Sequence, residues 1–326
     1  MKPVKVGVIG VGHLGRFHAL NYRQIEDAEL IGVTDSNPSR TSEIAQECQC
    51  TPFQNIETLL KEVEAVSIAV PTDHHFEIAS QVLSQKVHCI IEKPITQTVA
   101  QADSLIRLAA VNQLVLQVGH IERFNPALKA LEGLSISPRF IEAHRLAPFK
   151  PRGIEVSVIL DLMIHDIDIV LSMIRAPIEK IDASGLAVVS DTIDIANARL
   201  RFADNSVANL TASRISQKIM RKMRLFQKNS YITIDFDRKE TEIFKLDDGQ
   251  DRDSRILAEI GVGEKKRKVL YKKPAVDDYN ALLVELHTFV RSIRGETRGG
   301  VSAKAGRQAL SIASEVLQQI DSEHRP

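Results

Sequence analysis

The chain has 326 residues, of which 44% are hydrophobic and 26% are charged, and this composition predicts about two domains with apolar cores. Basic and acidic side chains number 42 each, so bulk electrostatics gives no reason to expect a nucleic acid or anionic lipid partner. No apolar run reaches the ~20 residues that span a bilayer, and the first predicted strand begins too early for a signal peptide. The cysteines, Cys48, Cys50 and Cys89, are too few for a disulfide framework. We therefore expect a cytoplasmic protein with reduced thiols.

The first predicted elements surround a glycine motif. An apolar strand leads directly into Gly10-x-Gly12-x-x-Gly15, an amphipathic helix follows, and a second apolar strand ends at Asp35. Gly10 permits a tight turn from strand to helix, and Gly15 permits the helix to pack closely on the strand. Gly12 has no Cβ, so a pyrophosphate can approach the backbone at the helix N-terminus. The Asp35 carboxylate can accept hydrogen bonds from ribose hydroxyls. Together these features predict a dinucleotide-binding site.

The residues around Asp35 also indicate which dinucleotide is used. A carboxylate at this position would repel the 2′-phosphate of NADP. Ser36 and Asn37 follow it in place of a basic pair, which favours NAD, although Arg40 lies one helical turn further on and could weaken the preference. We expect NAD as the cofactor.

Predicted strands and helices alternate through the first 120 residues. Strands are predicted at 4–9, 29–34, 65–70, 87–91 and 114–118, and helices at 14–25, 39–48, 56–62, 76–85 and 98–112. Thr98 is the expected N-cap of the last of these helices. Near-continuous apolar strands separated by helices predict a doubly wound parallel sheet of the Rossmann type, an α/β domain covered on both faces.

The pattern changes after Gly119, where longer alternating strands are joined by short polar turns. Strands are predicted at 140–145, 181–189, 197–202, 206–214, 223–226, 231–235 and 242–245, and helices at 156–174, 280–294 and 303–320. This pattern predicts an α+β domain with an open, largely antiparallel sheet. We expect residues 1–120 to form the dinucleotide-binding domain and 121–326 the substrate-binding and oligomerisation domain, with closing helices able to pack on the first. A substrate is expected at their junction.

A lysine, Lys93, follows the predicted strand 87–91 within Glu92-Lys93-Pro94. Ligands of open parallel sheets collect at the carboxyl ends of strands, so this ammonium group could lie near a bound nicotinamide. A surface lysine that begins a loop is the equally open alternative.

Three polar side chains lie along one face of the predicted helix 156–174. Asp161, His165 and Asp168 are spaced four and three residues apart, and a histidine between carboxylates suits general acid–base work. Two alternatives stay open here, a solvated polar face and a metal pair, although the sequence offers no convincing further metal ligands.

A third polar cluster, His120, Arg123 and Asn125, lies at the expected domain junction, where a substrate would be enclosed. The alternative is a polar linker that caps a helix beginning near Pro126. His74 and His75 follow the predicted strand 65–70, and either could contact the cofactor or cap the next helix.

Four motifs together resemble the glucose-fructose oxidoreductase/inositol 2-dehydrogenase (Gfo/Idh/MocA) family over essentially the whole chain: Gly10-x-Gly12-x-x-Gly15, Pro71-Thr72-x-x-His75, Glu92-Lys93-Pro94 and Asp161-x-x-x-His165. The resemblance implies an NAD-dependent oxidoreductase that moves a hydride between a sugar hydroxyl carbon and nicotinamide, with Lys93, Asp161 and His165 as the catalytic set. It also implies a homodimer or homotetramer formed through the open sheet. Motif and resemblance together assign to the cofactor Gly10, Gly12, His13, Leu14, Gly15, Asp35, Pro71, Thr72, His75, Glu92 and Lys93, and to the substrate His120, Arg123, Asn125, Asp161 and His165.

A finer resemblance concerns the segments 118–127 and 160–168. They are similar to those of the UDP-N-acetylglucosamine 3-dehydrogenase-like branch, whose members oxidise the 3-hydroxyl of the sugar nucleotide. On this hypothesis His165 takes the hydroxyl proton, Asp161 holds the imidazole, and Lys93 bonds the substrate oxygen. Glu92 either fixes Lys93 or closes a turn.

Three alternatives remain open from the sequence. The first is an inositol or simple-sugar dehydrogenase of the same family, and the second is a biliverdin-type reductase, which has no need of the Lys93 and His165 pair. The third is a non-catalytic NAD-binding regulatory protein. The charged segment 247–268 matches no named pattern, and it either shapes substrate access or decorates a sheet edge.

Overall fold

The computed structural model describes residues 2–150, 154–247, 255–262 and 266–323. The chain divides into two compact units. Unit 1 comprises Met1–Phe124 and Asn280–Ser311, and unit 2 comprises Asn125–Tyr279 and Ile312–Pro326. Among the described residues, no helix combines the length and the apolar character needed to cross a membrane.

Unit 1 is built on a six-stranded sheet in which every strand pairing is parallel, as predicted, with one short strand, Thr51–Pro52, beyond the five that the sequence predicts. The strands are β1 (Val4–Ile9), β2 (Ala28–Thr34), β3 (Thr51–Pro52), β4 (Ala65–Ile68), β5 (His88–Glu92) and β6 (Leu116–Gly119), in the order β3-β2-β1-β4-β5-β6. The order reverses on the two sides of β1, so the crevice of this doubly wound sheet lies at the carboxyl ends of β1 and β4.

Five helices connect these strands: α1 (His13–Tyr22), α2 (Pro38–Cys48), α3 (Ile56–Leu60), α4 (His75–Ser84) and α5 (Val99–Val111). Local chemistry explains where they begin. Asn37 caps α2 by accepting from the backbone of Ser39 and Arg40, and Thr98 forms with Gln101 the capping box that begins α5. The prediction of Thr98 as an N-cap is confirmed.

The core of unit 1 joins both chain segments. Val6 and Val8 of β1, Tyr22 of α1 and Phe289 of a later helix are all fully buried in one apolar cluster. That helix is α8 (Ala281–Ile293), which the amide side chain of Asn280 caps. It is followed by α9 (Ala303–Glu323), whose first half belongs to unit 1 and whose second half belongs to unit 2.

Unit 2 is built on a nine-stranded mixed sheet. The strands are β7 (Phe140–Leu146), β8 (Ile178–Leu186), β9 (Ile195–Phe202), β10 (Val207–Ser213), β11 (Met220–Gln227), β12 (Ser230–Asp235), β13 (Glu240–Leu246), β14 (Arg255–Ile260) and β15 (Arg267–Lys272), in the order β14-β15-β13-β12-β11-β7-β10-β9-β8. Among the described strands of this second sheet only β7 and β10 pair in parallel, so the prediction of a largely antiparallel sheet is confirmed.

Two details differ from the predicted elements. The helix predicted at 156–174 begins with a π-helical turn, Ile159–Met163, in which the amide of Ile164 bonds the carbonyl of Ile159, and continues as an α-helix, Ile164–Met173. The α-helix Ile164–Met173 is α7, and a short helix, α6 (Pro126–Lys129), precedes it in the chain.

The charged segment 247–268 contributes β14 and the start of β15 at the sheet edge, while its residues 248–254 and 263–265 lie outside the described part.

Candidate functional site

The glycine turn between β1 and α1 is fixed by local packing. Gly10 has φ +81°, and a Cβ added there would lie 2.6 Å from Val70 Cγ1. A Cβ on Gly15 would lie 1.8 Å from the carbonyl oxygen of Gly10, so the close approach of α1 requires glycine. A Cβ on Gly12 would meet no atom within 4 Å. The space beside Gly12 at the N-terminus of α1 is therefore open to a ligand.

The Asp35 carboxylate joins this turn to the next helix. One oxygen accepts from the amide of Val11 at 2.7 Å, and the other accepts from the amide of Asn37 at 2.9 Å. Arg40 donates from Nε to the carbonyl of Val11 at 2.9 Å and pairs with Glu43. The acid expected to accept from a ribose thus also holds the glycine turn in place.

A cavity of about 580 Å³ lies at the carboxyl ends of β1, β2 and β4, within unit 1. Four of the sequence-predicted residues line it: Gly10, Gly12, Asp35 and Pro71. It is also lined by Ile9, Thr34, Ser36, Gln54, Asn55, Ile56, Glu57, Ala69, Val70, His74 and Ile78. Sequence reasoning missed the segment 54–57 because it carries no motif and reaches the cavity only through the short strand β3.

The other residues predicted to bind cofactor lie outside this lining. His13 and Leu14 lie exposed in the first turn of α1, and Thr72 begins a 3-10 turn. His75 is buried, with Nδ1 2.8 Å from the carbonyl oxygen of Pro94 and Nε2 3.0 Å from that of Val70. Of the two neighbouring histidines, His74 is therefore the one on the cavity wall.

Glu92 and Lys93 come at the carboxyl end of β5. Glu92 Oε1 is 2.9 Å from Nε2 of His18, and its other oxygen accepts from the amide of Lys93 at 3.3 Å. Burial acts to raise the pKa of Glu92, but the hydrogen bond with His18 and the positive charge of Lys93 outweigh it, and the pKa lies below its usual value. Glu92 is ionised at neutral pH.

The polar cluster after β6 reaches the same edge of the sheet. Glu92 and Gly119 are register partners at the ends of β5 and β6, so His120 and Arg123 follow the strand next to Lys93. The His120 side chain is buried, and Arg123 lies half-buried in the turn Ile121–Phe124. The structure places these residues and Lys93 at neighbouring strand ends of unit 1.

Asn125 begins unit 2 and caps α6. Its Oδ1 accepts from the amide of Ala127 at 3.0 Å, and its Nδ2 donates to the carbonyl of Phe236 at 3.1 Å. The structure therefore gives Asn125 the capping role that the sequence offered as the alternative to substrate contact.

In unit 2, Asp161 lies in the π-helical turn and His165 lies in the first turn of α7. Both side chains are half-buried, whereas Asp166 and Asp168 are buried. Asp168 does not share the partial exposure of the other two, which separates it from the stripe predicted by spacing. Single π-helical turns occur frequently at functional sites, because the extra residue redirects the side chains around it.

A buried ion pair holds α7 on the sheet. Arg145 of β7 binds Asp166 through two bonds, Nε to Oδ2 at 3.0 Å and Nη2 to Oδ1 at 2.8 Å. The two side chains are 3% and 5% exposed, and the guanidinium lies over the ring of Phe236. A pair with this geometry fixes the rotation of the helix segment that carries the adjacent His165.

The chain leading into the π-helical turn is anchored by the loop between β8 and β9. Thr192 donates from its hydroxyl to the carbonyl of Ile154 at 2.7 Å, and the amide of Val158 bonds the carbonyl of Ile193 at 2.9 Å. Arg214 bonds the carbonyl of Val156 and lies beside Asp194.

Asp194 organises that loop. Its carboxylate accepts from the amides of Val188, Val189 and Ser190 and from the Ser190 hydroxyl. Burial acts to raise the pKa of Asp194, but these hydrogen bonds outweigh it and lower the pKa to about 2.

Comparison with known proteins identifies the family. Residues 4–120 match the model of the oxidoreductase family with an NAD-binding Rossmann fold, and residues 141–228 match the GFO/IDH/MocA C-terminal domain. The chain belongs to the Gfo/Idh/MocA oxidoreductase family. It is 38% identical to the UDP-N-acetylglucosamine 3-dehydrogenase of Acidithiobacillus ferrooxidans over 98% of both chains. It is 25% identical to the myo-inositol 2-dehydrogenase of Thermotoga maritima over 98% of this chain and 96% of that one.

A solved structure supports the same relationship. The UDP-N-acetylglucosamine 3-dehydrogenase of Acidithiobacillus ferrooxidans superposes with a TM-score of 0.88 at 37% identity, covering 99% of both chains. The predicted family, fold class and NAD cofactor are confirmed.

The residues of unit 1 fit an NAD molecule. The open space beside Gly12 and the helix N-terminus suit a pyrophosphate, and the Asp35 carboxylate suits ribose hydroxyls.

Replacement of Asp194 by asparagine should make the protein less stable at neutral pH. Because the native pKa of Asp194 is about 2, below the usual 3.8, the stabilisation is complete above pH ~4 and is lost as the pH falls towards 2. The stability gap between wild type and Asp194→Asn should therefore be constant from pH ~7 to ~5 and shrink at lower pH. Urea midpoints measured across this range check it, with the exposed Asp191→Asn in the same loop as the control. A gap that does not change with pH would contradict the assignment.

Proposed function

We propose that this protein oxidises the 3-hydroxyl of a UDP-N-acetylhexosamine, foremost UDP-N-acetylglucosamine, with NAD as the hydride acceptor. The observation that carries this proposal is the 38% identity to a UDP-N-acetylglucosamine 3-dehydrogenase over 98% of both chains. The likeness to a myo-inositol 2-dehydrogenase extends as far along the chain but at only 25% identity. The identity of the substrate is inferred from the site and from relatives, because the same fold serves many reactions.

In this reaction NAD, when bound, supplies the acceptor for the hydride that leaves the carbinol carbon. His165 takes the proton of the hydroxyl, because an imidazole exchanges protons near neutral pH. Asp161 orients the imidazole and stabilises its protonated form. The ammonium group of Lys93 donates a hydrogen bond to the substrate oxygen and stabilises negative charge that develops there. The products are a ketone, NADH and a proton.

Of the three side chains expected to bind substrate beside the catalytic set, Arg123 is the strongest candidate. It is half-buried at the carboxyl end of β6, where a guanidinium can pair with a diphosphate or with sugar hydroxyls. The ring of His120 is buried, and the amide of Asn125 bonds backbone on both sides. We assign to these two residues the shaping of the turn that carries Arg123.

Replacement of Lys93 or His165 by alanine should remove turnover with UDP-N-acetylglucosamine. Loss of a positioned acid–base group costs about 10²- to 10⁴-fold in kcat, while the affinity for NAD should stay within about threefold. NADH formation is followed by absorbance, and mass spectrometry detects the loss of two hydrogens from the sugar nucleotide.

A substrate panel decides between this function and its alternatives. Turnover of myo-inositol or free N-acetylglucosamine with no turnover of UDP-sugars would favour a simple-sugar or inositol dehydrogenase. Bound NAD without turnover of any sugar would favour a regulatory protein. Near-native turnover in either alanine variant would overturn the residue roles.

We further propose that NAD is preferred to NADP. The Asp35 carboxylate lines the cavity, and a 2′-phosphate there would meet its negative charge. The Arg40 guanidinium is engaged by the carbonyl of Val11 and by Glu43, which limits its use as a phosphate ligand.

NADH should bind at least about tenfold more tightly than NADPH, a difference of ~1.4 kcal/mol. The Asp35→Asn variant should narrow this ratio because it removes the charge. The chain contains no tryptophan, so the fluorescence of the reduced nucleotide reports binding directly. Tighter binding of NADPH to the wild type would contradict the preference.

We also propose that a second copy of this chain covers the open face of the unit 2 sheet. Five aromatic rings lie in register across five adjacent strands of that face: Phe140, Phe226, Tyr231, Phe244 and Tyr271. Successive ring centroids are 5.8, 4.9, 5.5 and 5.2 Å apart. Phe226 is 37% exposed. A contiguous apolar row on a sheet face is typical of an interaction surface.

Light scattering should show a dimer or tetramer for the wild type, and Phe226→Lys should shift it towards the monomer because a charge would be buried in the interface. Val111→Lys is the matched control, since Val111 is 80% exposed and lies in unit 1. A wild-type monomer at micromolar concentration would refute the proposal.

We propose a cytoplasmic location as well. The cysteines Cys48, Cys50 and Cys89 are free thiols, as is usual in a reducing compartment. Detection of the protein in an oxidising compartment would contradict this location.

A further inference from the structure

A buried histidine of α1 is linked to the backbone of Lys93 through one carboxylate. His18 is 1% exposed, and its Nε2 lies 2.9 Å from Oε1 of Glu92, 74 positions away in the chain. The other oxygen of Glu92 accepts from the amide of Lys93 at 3.3 Å. Helix α1 and the end of strand β5 are thus connected through two hydrogen bonds, one between His18 and Glu92 and one between Glu92 and the amide of Lys93.

The direction of the hydrogen bond between His18 and Glu92 follows from the acceptor. Its Nδ1 is buried and has no hydrogen-bond partner among the described residues. The ionised Glu92 carboxylate can only accept hydrogen bonds. Nε2 of His18 therefore carries a proton and donates to the Glu92 carboxylate, a hydrogen bond strengthened by the negative charge.

The Glu92 carboxylate is also confined by its neighbour in the sheet. Gly119 is its register partner on β6, and a Cβ at that position would lie 3.1 Å from the carboxyl carbon and from Oε1. A side chain at position 119 would therefore require the Glu92 carboxylate to shift by a few tenths of an ångström. With one oxygen held by His18 and the other by an amide, Glu92 cannot rotate without losing a hydrogen bond.

The residue after Lys93 is held by a separate hydrogen bond. The carbonyl of Pro94 lies 2.8 Å from Nδ1 of His75 at the start of α4. Loss of the bond from His18 would release the Glu92 carboxylate that accepts from the Lys93 amide, while the hydrogen bond at Pro94 remains. A long, flexible side chain such as lysine depends on a fixed backbone to place its ammonium group reproducibly.

We propose that His18, acting through Glu92, is a positioning residue that aims the Lys93 ammonium at the substrate oxygen. This rests on the proposed function, in which Lys93 bonds that oxygen. His18 touches neither substrate nor cofactor in this role. Its effect is on the chemical step, because a shift of about 1 Å at a catalytic group can cost ~100-fold in rate.

The test compares His18→Leu with His18→Gln in the full-length protein. Leucine fills the space without a donor, whereas the glutamine amide nitrogen can donate from nearly the place of Nε2. We expect His18→Leu to lower kcat for UDP-N-acetylglucosamine by about 10- to 100-fold with KM and NADH affinity changed less than about threefold. We expect His18→Gln to restore most of kcat. His88→Gln, at the opposite end of β5, is the control and should keep wild-type kcat.

Equal kcat in wild type and His18→Leu would overturn the proposal, as would an equal loss in the leucine and glutamine variants. Should His18→Leu fail to fold, Glu92→Gln takes its place, with the same kcat loss supporting the proposal and a wild-type kcat overturning it. The Lys93→Ala variant distinguishes a failure of the positioning role of His18 from a failure of the proposed function. If that variant also turns over normally, the role of Lys93 fails. If it is inactive while His18→Leu is normal, only the positioning role fails.

Discussion

The placement of the cofactor and catalytic candidates of unit 1 depends on the parallel pairing of its strands. Parallel strands end at one edge, so residues far apart in the chain, such as Asp35, Pro71 and Lys93, reach the same edge of the sheet. An antiparallel neighbour would carry its terminal residue to the opposite edge. The right-handed crossovers that parallel strands require also place helix N-termini there, which is why an anionic cofactor binds at this edge.

Unit 2 positions its own residues by a different means, namely buried charge. The Arg145–Asp166 pair lies beneath the first turn of α7, and Asp194 gathers the loop that holds the chain entering the π-helical turn. Buried charges are costly unless every bond is made, so each network tolerates essentially one geometry. Asp161 and His165 thus stand on a segment whose rotation and starting point are both fixed.

Much of this arrangement could be predicted from the sequence because its determinants are local. The glycine motif, Asp35 and the Thr98 capping box lie within one or two elements, and apolar periodicity marks the strands. The contacts His18–Glu92 and Arg145–Asp166 could not be predicted, since their partners are 74 and 21 positions apart and carry no shared pattern. The π-helical turn was missed because its apolar spacing matches an α-helix, and β14 and β15 because charges interrupt their alternation.

In the proposed reaction a hydride leaves carbon 3 of a UDP-N-acetylhexosamine for NAD. The most direct measurement follows the label from UDP-N-acetylglucosamine that carries deuterium at carbon 3. We expect one deuterium in the reduced nicotinamide, none at carbon 3 of the ketone product, and a slower rate than with the unlabelled substrate. Deuterium retained in the sugar product would contradict it.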